Sequence, residues 1–206
     1  MPTNALSVID DFFPEPEKVR NYALEHDFTG GTEMDGHTYP GTIQPKHPWF
    51  EQWFAALLQG VVGRPVRMKG CAFVLGREGQ FTEQWIHADV IGSTHAAVCY
   101  LFDGHHEHGT ALWRHIVSNS AHMDAEFLAS LQVDPADVDQ ISSLAARIRS
   151  EGECEDFWQM AGFVEAKFNR LIFYPSTAFH SRYPRHAFGT TPEDGRLVLV
   201  AFFTPE

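Results

Sequence analysis

The feature that most constrains the fold is a succession of short strand-like segments with no helix between them. These segments alternate with period two, are rich in β-branched and aromatic residues, and are separated by turns rich in Gly, Asp or His. In chain order they read CAFVLGR, QWIHADV, HAAVCYLF and TALWRHIV, and later NRLIFYP, AFHSRYP and RLVLVAFFT. Parallel strands need long crossover connections, so this order predicts antiparallel pairing in a β-sandwich or jelly roll.

Helical periodicity precedes these strands. After a short strand in SVIDDFF, a first helix is expected to begin beyond Pro14 and Pro16. Residues 29–48 are rich in Gly, Thr and Pro and predict a long loop, of the kind that often serves as a lid or binding segment. A second helix, over 49–62, is predicted from the apolar stripe of Trp49, Trp53, Ala56, Leu57 and Val61.

A helical insertion is predicted at about residues 120–168, outside the sheets. Asp134 followed by Pro135 is typical of a helix N-cap, and the helix is expected to end near Gly152. Its apolar face would consist of Val138, Ile141, Leu144 and Ile148. A further helix is predicted from the spacing of Phe157, Ala161, Val164 and Phe168.

The composition is that of one ordinary globular domain. The chain has 206 residues, of which 44% are hydrophobic and 20% charged, so we expect a single domain over residues 1–206. The predicted fold class is mainly β with flanking helices. It would be an antiparallel β-sandwich or jelly roll with N-terminal helices and the helical insertion.

The charge balance limits the partners. The chain carries 15 Lys and Arg against 27 Asp and Glu, a net charge of −12. Such a surface repels phosphate backbones and anionic membranes, so we expect no nucleic-acid and no membrane partner. No apolar run approaches the ~20 residues of a membrane span, and the opening MPTNALSVIDDFF lacks the pattern of an export signal. Three widely spaced cysteines, Cys71, Cys99 and Cys154, indicate reduced thiols and a cytoplasmic location.

The sharpest chemical feature is the His-x-Asp pair in the segment QWIHADV. Residues two apart on a strand point to the same side of the sheet, so His87 and Asp89 would project together. Inside a barrel, they would supply two ligands of a 2-His-1-carboxylate triad, which leaves open positions on the metal. His180, on a later strand, is the candidate third ligand. On an outer surface, the same pair would be unremarkable.

A second feature is Arg196, which opens the apolar terminal strand RLVLVAFFT. A guanidinium inside a barrel needs an anionic partner, and its planar fork fits a carboxylate. Alternatively, Arg196 lies at the wet end of the strand as a turn residue.

The order of these motifs resembles the Fe(II)/2-oxoglutarate dioxygenases, in particular a bacterial-type member of their prolyl-hydroxylase-like branch. The series runs from His-x-Asp through YLF, Gly-Thr-x-Leu-Trp, NRLIFYP and a His to the Arg of the terminal strand, and covers about residues 71–117 and 168–204. A weaker likeness lies in IDDFFPEPEKVRNYA. The resemblance implies a double-stranded β-helix, Fe(II) as the metal and 2-oxoglutarate as the co-substrate.

Position by position, the resemblance matches His87, Asp89 and His180 to the iron ligands. It matches Arg196 to the residue that binds the far carboxylate of 2-oxoglutarate, and Tyr100 to a tyrosine that donates to the same carboxylate in some relatives. As a core aromatic with a bonded hydroxyl, Tyr100 would need no such role. The spacing from His180 to Arg196 is longer than in most relatives, so Arg182 or Arg185 is an alternative anion partner.

The implied activity is oxidative decarboxylation of 2-oxoglutarate to succinate and CO₂, coupled to hydroxylation of a C–H bond in a small molecule or peptide. Two alternatives remain at this point: an inactive jelly-roll binding module, and a cupin-like metalloenzyme that uses no oxo acid. The histidine-rich turn DGHHEHG, with His105, His106 and His108, is predicted to be a solvated hairpin turn rather than a metal site.

Overall fold

The computed structural model describes residues 6–25, 28, 48–80, 85–89 and 92–206, together with the backbone of 33–34, 37–38 and 42–44. The chain is mainly β, with two antiparallel sheets and several helices. The strands are β1 (Ser7–Ile9), β2 (Glu33–Met34), β3 (His37–Thr38), β4 (Thr42–Gln44), β5 (Val66–Gly76), β6 (His95–Tyr100), β7 (Gly109–His115), β8 (Trp158–Glu165), β9 (Leu171–Pro175), β10 (His180–Tyr183) and β11 (Arg196–Pro205). The helices are α1 (Pro16–Leu24), α2 (Pro48–Val62), α3 (Ala125–Ser130) and α4 (Val138–Glu151).

The larger sheet has six strands in the order β1-β9-β6-β11-β5-β4, and the smaller has three in the order β10-β7-β8. Every pairing in both sheets is antiparallel, as the absence of helices between the strand-like segments predicted. Strands β2 and β3 pair only with each other among the described residues.

The two sheets face each other across a shared interior. Tyr100 on β6 of the larger sheet and Thr110 on β7 of the smaller one are joined by a hydrogen bond of 2.7 Å between their hydroxyls. Tyr174 on β9 places its ring 4.7 Å from the imidazole of His180 on β10. Val98 and Val198 are buried in the same apolar cluster. Side chains that point inward from both sheets therefore share one enclosed space.

Helices cover the outer face of each sheet. Phe50, Phe54 and Leu58 of α2 pack with Phe73 and Leu199 of the larger sheet, which buries its outer face. On the smaller sheet, Phe127 of α3 and Leu144 and Ile148 of α4 pack with Trp113 and Phe179. The predicted helical insertion therefore lies on the side of the smaller sheet that faces away from the shared interior.

Four details of the predicted helices are wrong. The buried stripe of α2 is Phe50, Phe54 and Leu58, one position later than predicted, and Trp49 is 58% exposed. This helix is apolar on more than one side, so its period alone did not select the buried face. Helix α4 begins after Asp137, whose carboxylate accepts from the amides of Asp139 and Gln140, so Asp134 is not the N-cap. Val138 in its predicted apolar face is 76% exposed.

The fourth error concerns the end of the insertion. The residues predicted to form a helix from Phe157 to Phe168 instead form β8, which pairs along its whole length with β7. This pairing contains a register shift between Leu112 and Trp113. An edge strand with a shifted register loses strict alternation, and Met160 and Phe163 are partly exposed on it. The irregular apolar spacing therefore resembled a helical period.

The predicted loop 29–48 is only partly described. It contains the short strands β2, β3 and β4, and β4 pairs with β5 at the edge of the larger sheet. The rest of this predicted lid lies outside the described residues. Within the described residues, no helix has the length and apolar character of a membrane span. Cys71, Cys99 and Cys154 are free thiols, and the first two are buried.

Candidate metal centre

Two backbone hydrogen bonds bring the His-x-Asp pair to β10. The amide of His87 donates to the carbonyl of His180 at 3.0 Å, and the amide of His180 donates to the carbonyl of His87 at 2.8 Å. Residues paired in this way project their side chains to the same side. The amide of Asp89 donates to the carbonyl of Ser176, which anchors the end of the segment. Residues far apart in the sequence thus meet at one point of the interior.

The donor atoms of these three side chains converge. His87 Nε2 lies 3.5 Å from Asp89 Oδ1, and His180 Nε2 lies 3.2 Å from Asp89 Oδ2. The two imidazole rings are 4.4 Å apart. Ligand atoms on one face of an octahedral metal with bonds of about 2.1 Å lie about 3 Å from each other. The three side chains are therefore spaced as a divalent metal requires.

Backbone carbonyls fix the orientation of both histidines. Nδ1 of His87 lies 3.0 Å from the carbonyl oxygen of Trp85, and Nδ1 of His180 lies 2.9 Å from that of Ala178. A carbonyl only accepts hydrogen bonds, so Nδ1 carries the proton in both rings. Each Nε2 consequently points its lone pair or second proton toward Asp89. Metal-binding histidines are commonly held by this kind of outer hydrogen bond.

Burial and mutual charge determine the ionisation of the cluster. Burial raises the pKa of Asp89, but the charges and hydrogen bonds of His180 and His87 more than offset it and hold the pKa below its ordinary value of 3.8. Burial lowers the pKa of His87, but its hydrogen bond to Asp89 and the charge of that carboxylate raise it overall. The carboxylate is thus kept ionised in the interior, as a cation ligand must be.

Arg196 lies in the interior and not at a wet strand end. It is 7% exposed, sits opposite Gly76 on β5, and its guanidinium lies 5.9 Å from the ring of Phe102. Burial lowers the pKa of Arg196, although Tyr100 and Tyr174 partly offset this effect. Among the described residues, no carboxylate forms an ion pair with it.

Tyr100 is fully buried, and its hydroxyl is hydrogen-bonded to Thr110. Burial raises the pKa of this hydroxyl to about 12, so it keeps its proton at neutral pH. Either hydroxyl can be the donor in this bond, and when Thr110 donates, the hydroxyl of Tyr100 can donate toward the interior. Tyr174 and Thr110 also line this space, although no sequence motif pointed to them. Both stand at inward positions of their strands, which is the signal that would have found them.

The two alternative arginines differ in their surroundings. Arg185 pairs with Glu153 and lies 5.5 Å above the ring of Trp85, so its charge is already compensated. Arg182 donates from Nη2 to the carbonyl of Gln80 at 3.1 Å. It is opposite Thr110 in the register of β10 with β7, on the inward side of the smaller sheet.

The histidine-rich turn differs in part from its prediction. His106 is exposed, but His108 is only 2% exposed and packs against the ring of Phe188. His105, Glu107 and His108 bring their donor atoms within 4.8 Å of one another. The prediction of a solvated turn is therefore wrong for His108, because residues after β10 fold over the turn.

The binding-module alternative required a solvent-exposed His-x-Asp pair far from His180. The described geometry is the opposite, since Asp89 is 8% exposed and within hydrogen-bonding distance of His180. The arrangement of two imidazoles, one carboxylate and a nearby buried guanidinium suits a metal with open positions and an anionic ligand.

Solved structures with the same fold include non-heme iron enzymes. The chain is similar to SnoN, a non-heme alpha ketoglutarate dependent epimerase from nogalamycin biosynthesis, with 13% identity, a TM-score of 0.57 and coverage of 98% of this chain and 76% of SnoN. It is similar to HygX from Streptomyces hygroscopicus, solved with nickel, 2-oxoglutarate and hygromycin B, with 13% identity, a TM-score of 0.59 and coverage of 98% and 84%. A prolyl-4-hydroxylase from Pseudomonas putida matches with 16% identity, a TM-score of 0.50 and coverage of 99% and 94%.

These likenesses concern the fold, and they confirm the predicted resemblance to the Fe(II)/2-oxoglutarate dioxygenases, including a prolyl hydroxylase. No curated protein sequence matches the chain. A family model does match it, over residues 2–203, and its description is a family of unknown function. The match spans nearly the whole sequence, and the chain therefore belongs to the family DUF6445.

Proposed function

We propose that this protein is an Fe(II)- and 2-oxoglutarate-dependent oxygenase that hydroxylates a C–H bond. The observation that carries the proposal is the convergence of His87, Asp89 and His180 in the interior, with Nε2 to carboxylate distances of 3.5 and 3.2 Å. The buried Arg196, which has no described carboxylate partner, supports an anionic co-substrate. The fold shared with SnoN, HygX and a prolyl-4-hydroxylase supports the same class.

The proposal includes the architecture. The two facing sheets would be the halves of a double-stranded β-helix, or jelly roll, in one domain over residues 1–206. Of the predicted insertion at about 120–168, the helices α3 and α4 would then cover the outside of the smaller sheet, while β8 belongs to that sheet. Packing of α3 and α4 on that outer face supports this arrangement.

Each site residue has a defined task in this proposal. His87, Asp89 and His180 hold Fe(II), and the carboxylate of Asp89 offsets part of its charge. The carbonyls of Trp85 and Ala178 keep both Nε2 atoms aimed at the metal. Arg196 binds the far carboxylate of 2-oxoglutarate, and the hydroxyl of Tyr100 donates a hydrogen bond to the same group.

When bound, Fe(II) and 2-oxoglutarate would activate O₂: one oxygen atom enters succinate as CO₂ is lost, and the other is inserted into the C–H bond of the substrate. The protein positions the reactants and excludes water from the site. Val98, Val198 and Tyr174 are buried beside the site and keep bulk water from the reacting atoms. The ring of Tyr174 lies 4.7 Å from the ring of His180, tilted by 52°, and limits the rotation of that imidazole.

We propose a small molecule or a peptide as the substrate, in the cytoplasm. The negative net charge of −12 supports a partner other than nucleic acid, and the free thiols support a reducing compartment. SnoN is named an alpha ketoglutarate dependent epimerase, so proteins of this fold that use this co-substrate are not all hydroxylases. Hydroxylation is the outcome we propose for this chain.

The direct test is metal-dependent turnover of 2-oxoglutarate, measured as succinate formed by the purified protein supplied with Fe(II) and oxygen. We expect turnover in the wild-type protein and none in Asp89→Ala, while Asp103→Ala, an exposed turn residue, behaves as the wild type. Turnover that survives Asp89→Ala would contradict the proposal. Metal-dependent activity that needs neither 2-oxoglutarate nor Arg196 would favour a cupin-like metalloenzyme instead.

A further inference from the structure

The region around Arg196 holds more hydrogen-bond donors than the proposed function uses. Among the described residues, three buried nitrogen atoms in this region have no hydrogen-bond partner: Nε of Arg196, Nε of Arg182 and Nδ1 of His108. A buried donor without a partner is costly, and native proteins have few of them. Three such atoms on three different elements point to a ligand.

The two arginines approach each other over a glycine. Gly76 is opposite Arg196 in the register of β5 with β11. A Cβ atom at this position would lie 3.3 Å from Nη1 of Arg182 and 3.9 Å from Cβ of Arg196. Glycine therefore leaves the space in which the guanidinium of Arg182 extends toward Arg196.

His108 lies on another side of the same region. Its ring is 4.6 Å from that of Phe188, which is 5.0 Å from Phe102, the ring beside Arg196. Burial and the charge of Arg196 lower the pKa of His108 to about 4, against the opposing effect of Glu107. The imidazole is thus neutral at pH 7, and the proton on one of its nitrogens is available to a ligand.

Among the described residues, no carboxylate balances these cations. In the part of the chain that the structure describes, neither Arg182 nor Arg196 is within ion-pairing distance of a carboxylate, whereas Arg185 and Arg170 both are. A ligand carboxylate offers about four lone-pair directions, enough to receive donors from several sides at once. It would also supply the missing negative charge.

We propose that Arg182 and His108 complete, together with Arg196, a three-sided site for the far carboxylate of the oxo acid. This inference rests on the proposed function, and it adds two specificity-determining residues to it. A site with donors on three sides selects a dicarboxylic oxo acid over one that ends in a methyl group, because the latter leaves the donors unpaired.

The test compares 2-oxoglutarate with 2-oxovalerate, which has the same carbon chain but a terminal methyl group. Dissociation constants for both are measured by anaerobic calorimetry on the Ni(II)-loaded protein. We expect Arg182→Met and His108→Leu each to weaken 2-oxoglutarate about tenfold or more, and 2-oxovalerate less than about twofold. Arg182→Lys and His108→Asn, which keep a donor, should recover part of the affinity.

Two matched controls are Arg149→Met on α4 and His106→Leu in the same turn as His108, both exposed and both expected to bind as the wild type. Ni(II) affinity, measured on every variant, shows that the metal centre is folded. Equal weakening of both oxo acids would mean that Arg182 and His108 act through the fold, and would overturn the inference. Unchanged 2-oxoglutarate affinity in the variants would overturn this inference and leave the proposed function standing. Failure of the wild-type protein to bind 2-oxoglutarate would overturn the proposed function as well.

Discussion

The interior contains two buried polar regions that differ in how their polar atoms are satisfied. At the candidate metal centre, both Nδ1 atoms and both oxygens of Asp89 have protein partners within 3.5 Å. Around Arg196, three buried nitrogens have none among the described residues. The first region is assembled by the chain itself, and we propose that the second becomes complete when a ligand binds.

The difference is also one of charge. Asp89 faces two imidazoles that it can pair with, whereas Arg196 and Arg182 face each other's positive charge. An uncompensated buried cation costs several kcal/mol even after relaxation. The region around Arg196 is therefore expected to destabilise the ligand-free protein, and we propose that a carboxylate ligand relieves this cost on binding.

The largest effect is expected at the candidate metal centre. Asp89→Asn removes the carboxylate from the three predicted metal ligands, so Ni(II) affinity should fall by more than about 100-fold. Ni(II) at 100 times its dissociation constant should stabilise the wild-type protein by about 2.7 kcal/mol and leave the variant unaffected. Chemical unfolding with and without Ni(II) measures both. Equal stabilisation of the two proteins would mean that the metal binds elsewhere.

Arg196→Met probes the region that needs a ligand. It should weaken 2-oxoglutarate by about 100-fold, because charge-assisted hydrogen bonds are lost, and leave Ni(II) affinity unchanged. Without ligand, the variant should be more stable than the wild type by about 1–3 kcal/mol, because an unpaired buried charge is gone. Calorimetry and urea unfolding measure these quantities. Lower stability of the ligand-free variant would show that Arg196 already has a partner, and would remove the contrast between the two regions.

A buried hydrogen-bonded pair outside both regions, His115 with Glu151, provides a reference for the comparison. His115 lies 3.0 Å from Glu151 through Nε2 and 2.8 Å from the hydroxyl of Ser118 through Nδ1, so both of its nitrogens are used. Glu151→Gln should lower the free energy of unfolding by about 1–2 kcal/mol and leave metal and oxo-acid binding unchanged. The exposed Glu155→Gln is the control. Weaker Ni(II) binding in Glu151→Gln would mean that this pair is coupled to the metal centre.

The smallest effect is expected at the surface. Hydrogen bonds from Arg170 and Lys167 lower the pKa of Asp10 to about 2, and this side chain is 39% exposed. A carboxyl whose pKa is lowered by folding contributes stability above its unfolded pKa, and this contribution is lost as the pH falls toward 2. Asp10→Asn should therefore cost less than about 1 kcal/mol at pH 7, and the cost should shrink below pH 4. A cost that grows on acidification would contradict this assignment.

Alternation predicted most of the strands in the sheets. The segment QWIHADV, also predicted as a strand, is not one: among its described residues, 85–89, only His87 forms a bridge, with His180. His87 and Asp89 nevertheless lie together as predicted, because both are beside His180. Their role as metal ligands, like that of Arg196 and Tyr100 as oxo-acid ligands, remains a prediction. The edge strand β8 was predicted as a helix because its shifted register with β7 hides the period of two.

The burial of His108 and the position of Arg182 could not be predicted from the sequence. Both depend on contacts between segments far apart in the chain, such as Phe188 against His108 and Gly76 beneath Arg182. Local composition made the turn look solvated, and the length of the segment after His180 gave no indication of where it folds. Long-range packing, which one sequence does not display, decides these positions.

The most direct test of the account is an anaerobic titration of the apoprotein with Fe(II) and then 2-oxoglutarate, followed by visible absorption. We expect the weak charge-transfer band of an iron-bound 2-oxo acid in the wild-type protein, and no band in Asp89→Ala or Arg196→Ala. Iron binding without a band would mean that no oxo acid binds at this site. If the wild-type protein does not bind iron, the two histidines and Asp89 are not an iron centre, and the proposed oxygenase function is wrong.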